Sequence, residues 1–281
     1  MALADIGWAA AKLRRMRVDN ARVSSGFDGD VAAYYAQYRR GYPSVVIDAL
    51  VDALGLSSAD TVIDLGCGSG QLALPLARRV ARVIGVDPEP EMLRYARTAQ
   101  SEGPASSVEW RLGTADDLLD ISAQHGLVGA ITLANAIHLV DRARLFAAAR
   151  LALRPGGGLA IIANGTPLWL QHTGWSHVLR TFLEGWLQTE LTNHCGTDDA
   201  TRSVYQHELM ALGYRTEELR LDYTDVLTLD QIVGGVFSAM SQRLPAPNDR
   251  SRFSSDLGRA LMNAAPYTEY VSVRTLVAHI G

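Results

Sequence analysis

A glycine-rich turn that directly follows an apolar run is the stretch most able to do chemistry. The run Thr61–Leu65 is apolar and β-branched apart from Asp64. Three glycines spaced by two follow it: Gly66, Gly68 and Gly70. This pattern predicts a buried strand that ends in a tight turn, with a helix over residues 71–79. A backbone without Cβ lets a ligand approach closely, and the N–H groups of a helix start favour anions.

Dinucleotides are one class of ligand that binds at such a turn. A dinucleotide site needs G-x-G-x-x-G or G-x-G-x-x-A. Counted from Gly66, the last position is Gln71, which fails; counted from Gly68, it is Ala73, which passes. The spacing is therefore compatible with three alternatives: a nicotinamide cofactor, another ligand, and a turn that binds no ligand.

A second apolar run, Ala81–Asp87, also ends in a carboxylate. Asp87 follows the first glycine by about 20 residues, where a Rossmann-like site places an acid on ribose hydroxyls. We therefore expect Asp87 to bind ribose. The alternative is an acid that only favours the start of the next helix.

The glycine turn resembles motif I of the class I S-adenosylmethionine-dependent methyltransferases, because residues 64–70 fit E/D-x-G-x-G-x-G throughout. Residues 87–96 resemble the same family's D-x-S-x-x-M-L-x-x-A helix start. The resemblance implies that S-adenosyl-L-methionine is the cofactor and that Met92 packs on its adenine. It implies cofactor contacts at Asp64, Gly66, Cys67, Gly68, Gly70, Asp87, Pro88 and Met92.

A tyrosine-rich segment before the turn resembles the family's leader A-x-x-Y-x-x-x-R-P-x-Y-P. Tyr35 and Arg39 match its Tyr and Arg, whereas Arg40 replaces its Pro. The resemblance implies that this segment covers the cofactor, that Arg39 meets the methionine carboxylate and that Tyr35 lines the reaction centre. A guanidinium can bind both oxygens of a carboxylate. The alternative is a helix packed on the core with solvated arginines.

Two further stretches follow predicted strands. Residues 113–118 resemble the motif G-x-A-E-D-L, which implies adenine contacts at Thr114, Ala115 and Asp116; we choose Asp116 over Asp117, and the alternative is a helix-capping acid. Residues 134–141 resemble A-F-H-W-x-D, with Leu139 in place of Trp. This implies cofactor contacts at Asn135 and Ala136. His138 is then a candidate general base, or a residue that only shapes the pocket.

Residues 167–212 are rich in aromatic side chains, and we predict that they form a helical cap over the cleft. Aromatic faces suit a planar or apolar substrate and attract a cation, although they can equally pack the cap onto the body. The predicted substrate contacts are Tyr34, Tyr38, Trp169, His172 and Trp175. We expect no metal site, because His172 and His177 are five residues apart rather than four.

The expected fold is an α/β, Rossmann-like class I methyltransferase fold. It has a seven-stranded mixed sheet in the order 3-2-1-4-5-7-6, closed by an antiparallel pair over 214–223 and 271–280. The expected parts are an N-terminal helical segment that covers the cofactor (1–42), the cofactor-binding core (43–166), the helical cap (167–212), and the strand pair (213–281) with a helical insertion (229–265). A short amphipathic helix is predicted over 9–18.

Composition narrows the functional classes. The 281 residues are 48% hydrophobic with a net charge of −4, and no basic block marks a nucleic-acid surface. No apolar run of about 18 residues predicts a membrane span. Two cysteines, Cys67 and Cys195, predict no disulfide framework. We expect a cytoplasmic protein, monomeric or homodimeric.

The sequence therefore predicts methyl transfer from S-adenosylmethionine to an oxygen, nitrogen or carbon nucleophile of a small, partly apolar or aromatic metabolite. The resemblance is nearest to enzymes of bacterial secondary metabolism and to those that act on trans-aconitate or ubiquinone precursors. One alternative is a protein of the same fold that binds the cofactor but catalyses a cyclisation or rearrangement. Another is a nicotinamide oxidoreductase.

Overall fold

The computed structural model describes residues 26–103, 107–191, 198–240 and 243–280. The predicted helix over 9–18 lies outside them. The strands are β1 (Thr61–Leu65), β2 (Arg82–Asp87), β3 (Val108–Leu112), β4 (Val128–Ala134), β5 (Leu153–Asn164), β6 (Tyr214–Leu227) and β7 (Tyr267–Ile280). The helices are α1 (Gly29–Tyr38), α2 (Ser44–Ala53), α3 (Ala73–Leu76), α4 (Pro90–Glu102), α5 (Leu118–His125), α6 (Arg142–Ala152), α7 (Gly174–Leu187), α8 (Asp199–Ala211), α9 (Leu229–Phe237) and α10 (Pro247–Leu261).

All seven strands form one sheet in the order β3-β2-β1-β4-β5-β7-β6, which confirms the predicted order. Neighbours among β1 to β5 are parallel, and β7 runs antiparallel to both β5 and β6. The central strands are nearly continuous apolar runs because parallel strands are covered by helices on both faces. Their carboxyl ends therefore meet at one edge, where the glycine turn, Asp87 and the β4–α6 connection lie together.

Several elements differ from their predicted bounds, and β6 and β7 are each four residues longer than the predicted pair over 214–223 and 271–280. Helix α3 is only Ala73–Leu76 rather than 71–79. Pro75 has no N–H to bond to the carbonyl of Gln71, so the helix begins two residues later and Pro75 lies in its first turn. Strand β5 begins as early as Leu153, because Val128 already pairs with Leu153 before a shift in register.

The predicted cap is divided between two parts of the structure. Helices α7, α9 and α10 share one apolar cluster around Leu179, Phe237 and Phe253. Helix α8 instead buries Tyr205 and Leu209 in the core beneath the sheet. Of the predicted cap, α7 therefore packs with the insertion between β6 and β7, a group called the cap below, whereas the part of 167–212 that contains α8 packs in the core.

Strands β6 and β7 form a ribbon that is longer than the rest of the sheet. Their pairing runs from Tyr214 with Ile280 to Leu227 with Tyr267. Strand β5 pairs only with residues 273–279 of β7. The free half of the ribbon therefore extends beyond the carboxyl edge of the sheet and carries α9 and α10 there.

Candidate functional site

The glycine turn needs its glycines for both conformation and space. Gly66, Gly68 and Gly70 all have positive φ, at 68°, 55° and 90°, a region that residues with a Cβ rarely adopt. A Cβ on Gly66 would lie 2.6 Å from the Cβ of Ala136. The turn thus lies directly against the end of β4, which brings two of the predicted cofactor-binding segments into contact.

Asp87 is fixed toward the glycine turn by backbone hydrogen bonds. Its Oδ2 accepts from the N–H of Gly68 at 2.8 Å, and its Oδ1 accepts from the N–H of Glu89 at 2.9 Å. The residue is 6% exposed, and burial raises the pKa of its carboxyl to about 6 against the effect of these bonds. Each oxygen retains a second lone pair for a ligand hydroxyl.

Asp64 is the other buried carboxylate at this edge. Its Oδ1 accepts from the Thr132 hydroxyl at 2.7 Å, while its Oδ2 is buried and has no partner among the described residues. Burial raises the pKa of Asp64 to about 7, and the charge of Asp87 adds to the shift. A buried oxygen without a partner is the state expected of a group that meets a ligand.

Trp110 is a part of the site that the sequence did not predict. Trp110 on β3 is the ladder partner of Gly85 on β2, and Gly85 is the partner of Asp64 on β1. A Cβ on Gly85 would lie 2.6 Å from the Trp110 ring, and one on Gly70 would lie 2.8 Å from it. The indole therefore supports the glycine turn from the sheet side, and Gly85 makes the room that it occupies.

The two acids after β3 have different surroundings. Asp117 Oδ2 accepts from the N–H of Thr114 at 2.9 Å, as in a capping box. Asp116 is exposed, and its nearest charged partner is Arg144 at 3.5 Å. Asp117 therefore has a capping role, and the choice of Asp116 as the acid that binds a ligand stays a prediction.

The carboxyl end of β4 turns sharply at Asn135, which has a φ of 54°. Asn tolerates this left-handed conformation better than most residues. Its Oδ1 accepts from the N–H of Asn164 at 3.1 Å, which ties the ends of β4 and β5 together. His138 lies three residues later and is exposed. Partial burial of its ring lowers the pKa of the imidazole, which favours the neutral form that can accept a proton.

The leader helix α1 brings Tyr35 to the glycine turn. A Cβ on Gly68 would lie 3.4 Å from the Tyr35 ring. The charges of Asp87 and Asp64 add to burial in raising the pKa of the phenol, whereas Arg39 opposes them. Arg39 itself is exposed, with its guanidinium 5.3 Å from the centre of the Tyr35 ring. Tyr35 thus lies against the glycine turn with Arg39 next to it, and their contacts with a cofactor stay a prediction.

The remaining predicted cofactor residues lie on the same elements. Cys67 is buried in the turn, and burial raises the pKa of its thiol. Pro88 follows Asp87 directly, and Met92 is 2% exposed on the inner side of α4. Thr114 caps the short turn that contains Ala115. Among the described residues, no group of three or more metal-ligating side chains is found.

The predicted substrate residues are mostly packed within the cap. The Tyr34 ring lies 5.0 Å from that of Phe237, and the Tyr38 hydroxyl donates to Asp230 at 3.0 Å. The Trp175 N–H donates to the carbonyl of Thr268 at 2.7 Å. These are packing contacts, so α1 is held between the glycine turn and the cap. Trp169 has a buried N–H without a partner in the described chain, and His172 is exposed.

Comparison with known proteins agrees with this geometry. A family model described as a methyltransferase domain matches residues 62–157. An uncharacterized methyltransferase of Mycobacterium tuberculosis is 31% identical over 194 residues, which are 69% of this chain and 73% of the relative. The chain belongs to the class I S-adenosylmethionine-dependent methyltransferases. A ubiquinone biosynthesis O-methyltransferase of Methylobacterium is 38% identical to this methyltransferase over 97 residues, 34% of the chain and 38% of that protein.

Solved structures show the same fold. The methyltransferase resembles a cyclopropane synthase of Mycobacterium tuberculosis with a TM-score of 0.51 and 16% identity, over 90% of this chain and 94% of that one. It resembles the YcgJ protein of Bacillus with a TM-score of 0.50 and 17% identity, over 85% and 99% of the two chains. Family membership makes it a transferase and sets aside the nicotinamide alternative. In the described parts of the methyltransferase, no helix has the length and apolar character of a membrane span.

Proposed function

We propose that this enzyme transfers a methyl group from S-adenosylmethionine to an oxygen, nitrogen or carbon nucleophile of a small, partly apolar metabolite. The observation that carries the proposal is the arrangement of Asp87. Its carboxylate is held beside the glycine turn by the N–H groups of Gly68 and Glu89, with a lone pair left on each oxygen. Two adjacent acceptors at this point suit the two hydroxyls of a ribose.

The other residues at this edge fit the rest of such a ligand. Asp116 is the exposed acid beside β3 and would accept from an adenine amino group. Asp64 offers an unpaired buried oxygen at the opposite side of the turn, where the amino acid end of the cofactor would lie. The cofactor supplies a methyl group that its sulfonium has already activated, so the main task of the chain is to bind and to align.

Alignment and protection from water would come from α1 and the cap. Tyr35 lies over Gly68, and Arg39 lies beside Tyr35 within reach of a carboxylate. His138 lies in the short turn that follows the end of β4 at the same edge. It would take a proton from the nucleophile, or only shape the pocket where the nucleophile carries no proton. Partial burial lowers the pKa of the imidazole, which favours its neutral form in either role.

The size of the substrate is inferred from the cap. Helices α7, α9 and α10 pack an aromatic cluster above the sheet edge, and α1 lies between this cluster and the glycine turn. Such a cover suits a small molecule that is enclosed rather than a macromolecule that remains outside. The net charge of −4 supports the same inference, because it offers no attraction to nucleic acid.

Calorimetric titration with S-adenosylhomocysteine tests the cofactor site. We expect micromolar binding, no binding of NAD, and an affinity lowered about 10- to 100-fold in Asp87→Ala because ribose hydroxyls lose their acceptors. Glu217→Gln is the control, because this exposed carboxylate on β6 contacts His279 and not the site. An Asp87→Ala protein that binds as tightly as the control would remove Asp87 from the site, and binding of NAD alone would overturn the proposal.

A further inference from the structure

A buried polar cluster lies at the base of the cap. The guanidinium Nη2 of Arg40, in the segment after α1, forms an ion pair with Oε1 of Glu269 on β7. The same oxygen accepts from Nε2 of Gln171, in the segment before α7. Glu269 is 1% exposed and Gln171 is 6% exposed. Three segments far apart in the chain therefore converge on one carboxylate oxygen.

Three polar atoms of this cluster are buried and have no partner among the described residues: Arg40 Nη1, Gln171 Oε1 and Glu269 Oε2. Each is the second nitrogen or oxygen of a group whose first atom takes part in the contacts at Glu269 Oε1, so all three lie close to that oxygen. Buried polar atoms are normally paired. One donor and two acceptors thus remain for an occupant.

The cluster adjoins the cofactor edge of the sheet. Burial raises the pKa of Tyr42 well above its ordinary value, and the charges of Tyr35 and Asp64 raise it further, while the side chain of Asn164 opposes them. The contacts of the neighbouring chain agree with this position: Asn164 Nδ2, at the end of β5, donates to the carbonyl of Gly41 at 3.4 Å, and a Cβ on Gly165 would lie 3.5 Å from Arg40 Nη1. Tyr223 on β6 is a further tyrosine beside the cluster. Burial raises the pKa of its phenol, the side chain of Arg40 lowers it, and the charge of Glu269 raises it.

The charge of the cluster restricts what it can hold. Arg40 and Glu269 carry opposite charges and compensate each other. An anionic or cationic group placed among them would be a further buried charge without a counter-ion, which is strongly unfavourable. The occupant that fits is neutral, with donors for two oxygens and an acceptor for one N–H. A primary carboxamide has two N–H donors and one carbonyl oxygen.

We propose that Arg40, Gln171 and Glu269 form the polar end of the acceptor site and bind a neutral group of the substrate with two donors beside one acceptor, of which the carboxamide is the type. This assignment rests on the proposed function, since it gives that site its substrate class. The reacting atom would then lie on the part of the substrate that extends toward Tyr42 and the glycine turn.

Two matched fragments test the assignment. Benzamide is neutral with two donors, whereas benzoate has the same ring with a negative charge and no donor. Each is titrated into the full chain by ligand-observed nuclear magnetic resonance, with and without S-adenosylhomocysteine. We expect benzamide to bind at least tenfold more tightly than benzoate. Glu269→Gln leaves the charge of Arg40 uncompensated, so in that variant the preference should reverse.

Two further variants complete the experiment. Glu217→Gln makes the same change on an exposed carboxylate of β6 and should keep the preference for benzamide. Gln171→Leu removes one acceptor without any change in charge, so it should weaken the binding of benzamide and leave the binding of benzoate unchanged. It also provides the test if Glu269→Gln does not fold. Binding of neither fragment, equal binding of both, or an unchanged preference in the folded site variants would overturn the assignment.

The two proposals fail separately. A chain that binds S-adenosylhomocysteine but shows none of the expected fragment preference keeps the proposed function and loses the carboxamide site. A chain that shows the preference and its reversal without binding S-adenosylhomocysteine keeps the site and loses the proposed function.

Discussion

At the scale of single residues, the two buried carboxylates at the sheet edge work against stability. Burial raises the pKa of Asp64 to about 7 and that of Asp87 to about 6, from ordinary values of 3.8. The folded protein therefore binds these protons more tightly than the unfolded chain does. The free energy of unfolding should decrease as the pH rises from about 4 to 7, through the interval between the unfolded and folded pKa values.

Asp64→Asn should remove most of this pH dependence. An Asn side chain can still accept from the Thr132 hydroxyl and carries no charge to bury. We expect the variant to be more stable than the wild type at pH 8 by about 1–4 kcal/mol, and to lose that advantage near pH 4. Urea unfolding at both values measures it. Parallel pH profiles for the two proteins would show that the Asp64 carboxyl is not the titrating group.

The residues at the site differ in how well they could be predicted. The glycines, Asp64 and Asp87 lie within one strand–turn unit and its neighbour, so local spacing was enough to find them. The role of Trp110 depends on the pairing of β3 with β2, which brings it over Gly85. A Trp that lies opposite a Gly on the neighbouring strand can be recognised in the sequence only after the two strands have been aligned.

At the scale of elements, the position of the glycine turn depends on the contact between β2 and β3. Gly85 has an ordinary backbone conformation, so it is glycine for the sake of space alone. The Trp110 ring fills that space and extends to Gly70, and the indole N–H donates to Gln100 on α4. A change at Gly85 should therefore alter the glycine turn, because Gly70 contacts the same ring.

Gly85→Ala should destabilise the protein by about 1–3 kcal/mol, because an added methyl overlaps a packed ring. It should also weaken binding of S-adenosylhomocysteine, since the displaced ring presses on Gly70. Trp110→Leu in the same chain should restore part of both losses. The control is Gly185→Ala in α7, where nothing lies within 4 Å of the added Cβ. Chemical denaturation and calorimetry give the two quantities, and strictly additive effects of the pair would contradict this coupling.

The location of helix α8 is the part of the fold that the sequence pattern predicted wrongly. The strands and their order followed from apolar runs and the family resemblance. Helix α8 was placed in the cap because its surroundings in sequence are aromatic, but Tyr205 and Leu209 face the core. Aromatic content is the same for a helix that covers a cleft and for one that packs beneath a sheet, so the sequence could not separate the two.

At the scale of the whole molecule, the leader helix α1 is joined more to the cap than to the core. Asp30 pairs with Arg250 of α10 at 2.7 Å, and Tyr38 donates to Asp230 of α9. Toward the core, the N–H of Gly29 donates to Glu91 of α4. Contacts such as Asp30 with Arg250 join residues that are 220 positions apart, and no local pattern in the sequence could have predicted them.

Gly234→Ala should loosen α1 from the cap. The added Cβ would lie 2.2 Å from the Tyr38 ring, so the ring and α9 cannot keep their present contact. We expect faster amide hydrogen exchange over residues 29–38 in the variant and weaker binding of S-adenosylhomocysteine, because Tyr35 lies on the same helix. Gly185→Ala again serves as the control. Unchanged exchange in α1 would mean that its order depends on the core rather than on the cap.

The long ribbon has a consequence for how such an enzyme can diverge. Leu227 and Tyr267, which flank the insertion with α9 and α10, are direct partners in the ladder. Paired residues of antiparallel strands lie about 5 Å apart, the distance that a hairpin turn closes. The insertion can therefore be shortened, lengthened or replaced at little cost in loop closure, without a change in the donor-binding sheet. The helices α9 and α10 can in this sense be exchanged between lineages as one unit, while the sheet is retained.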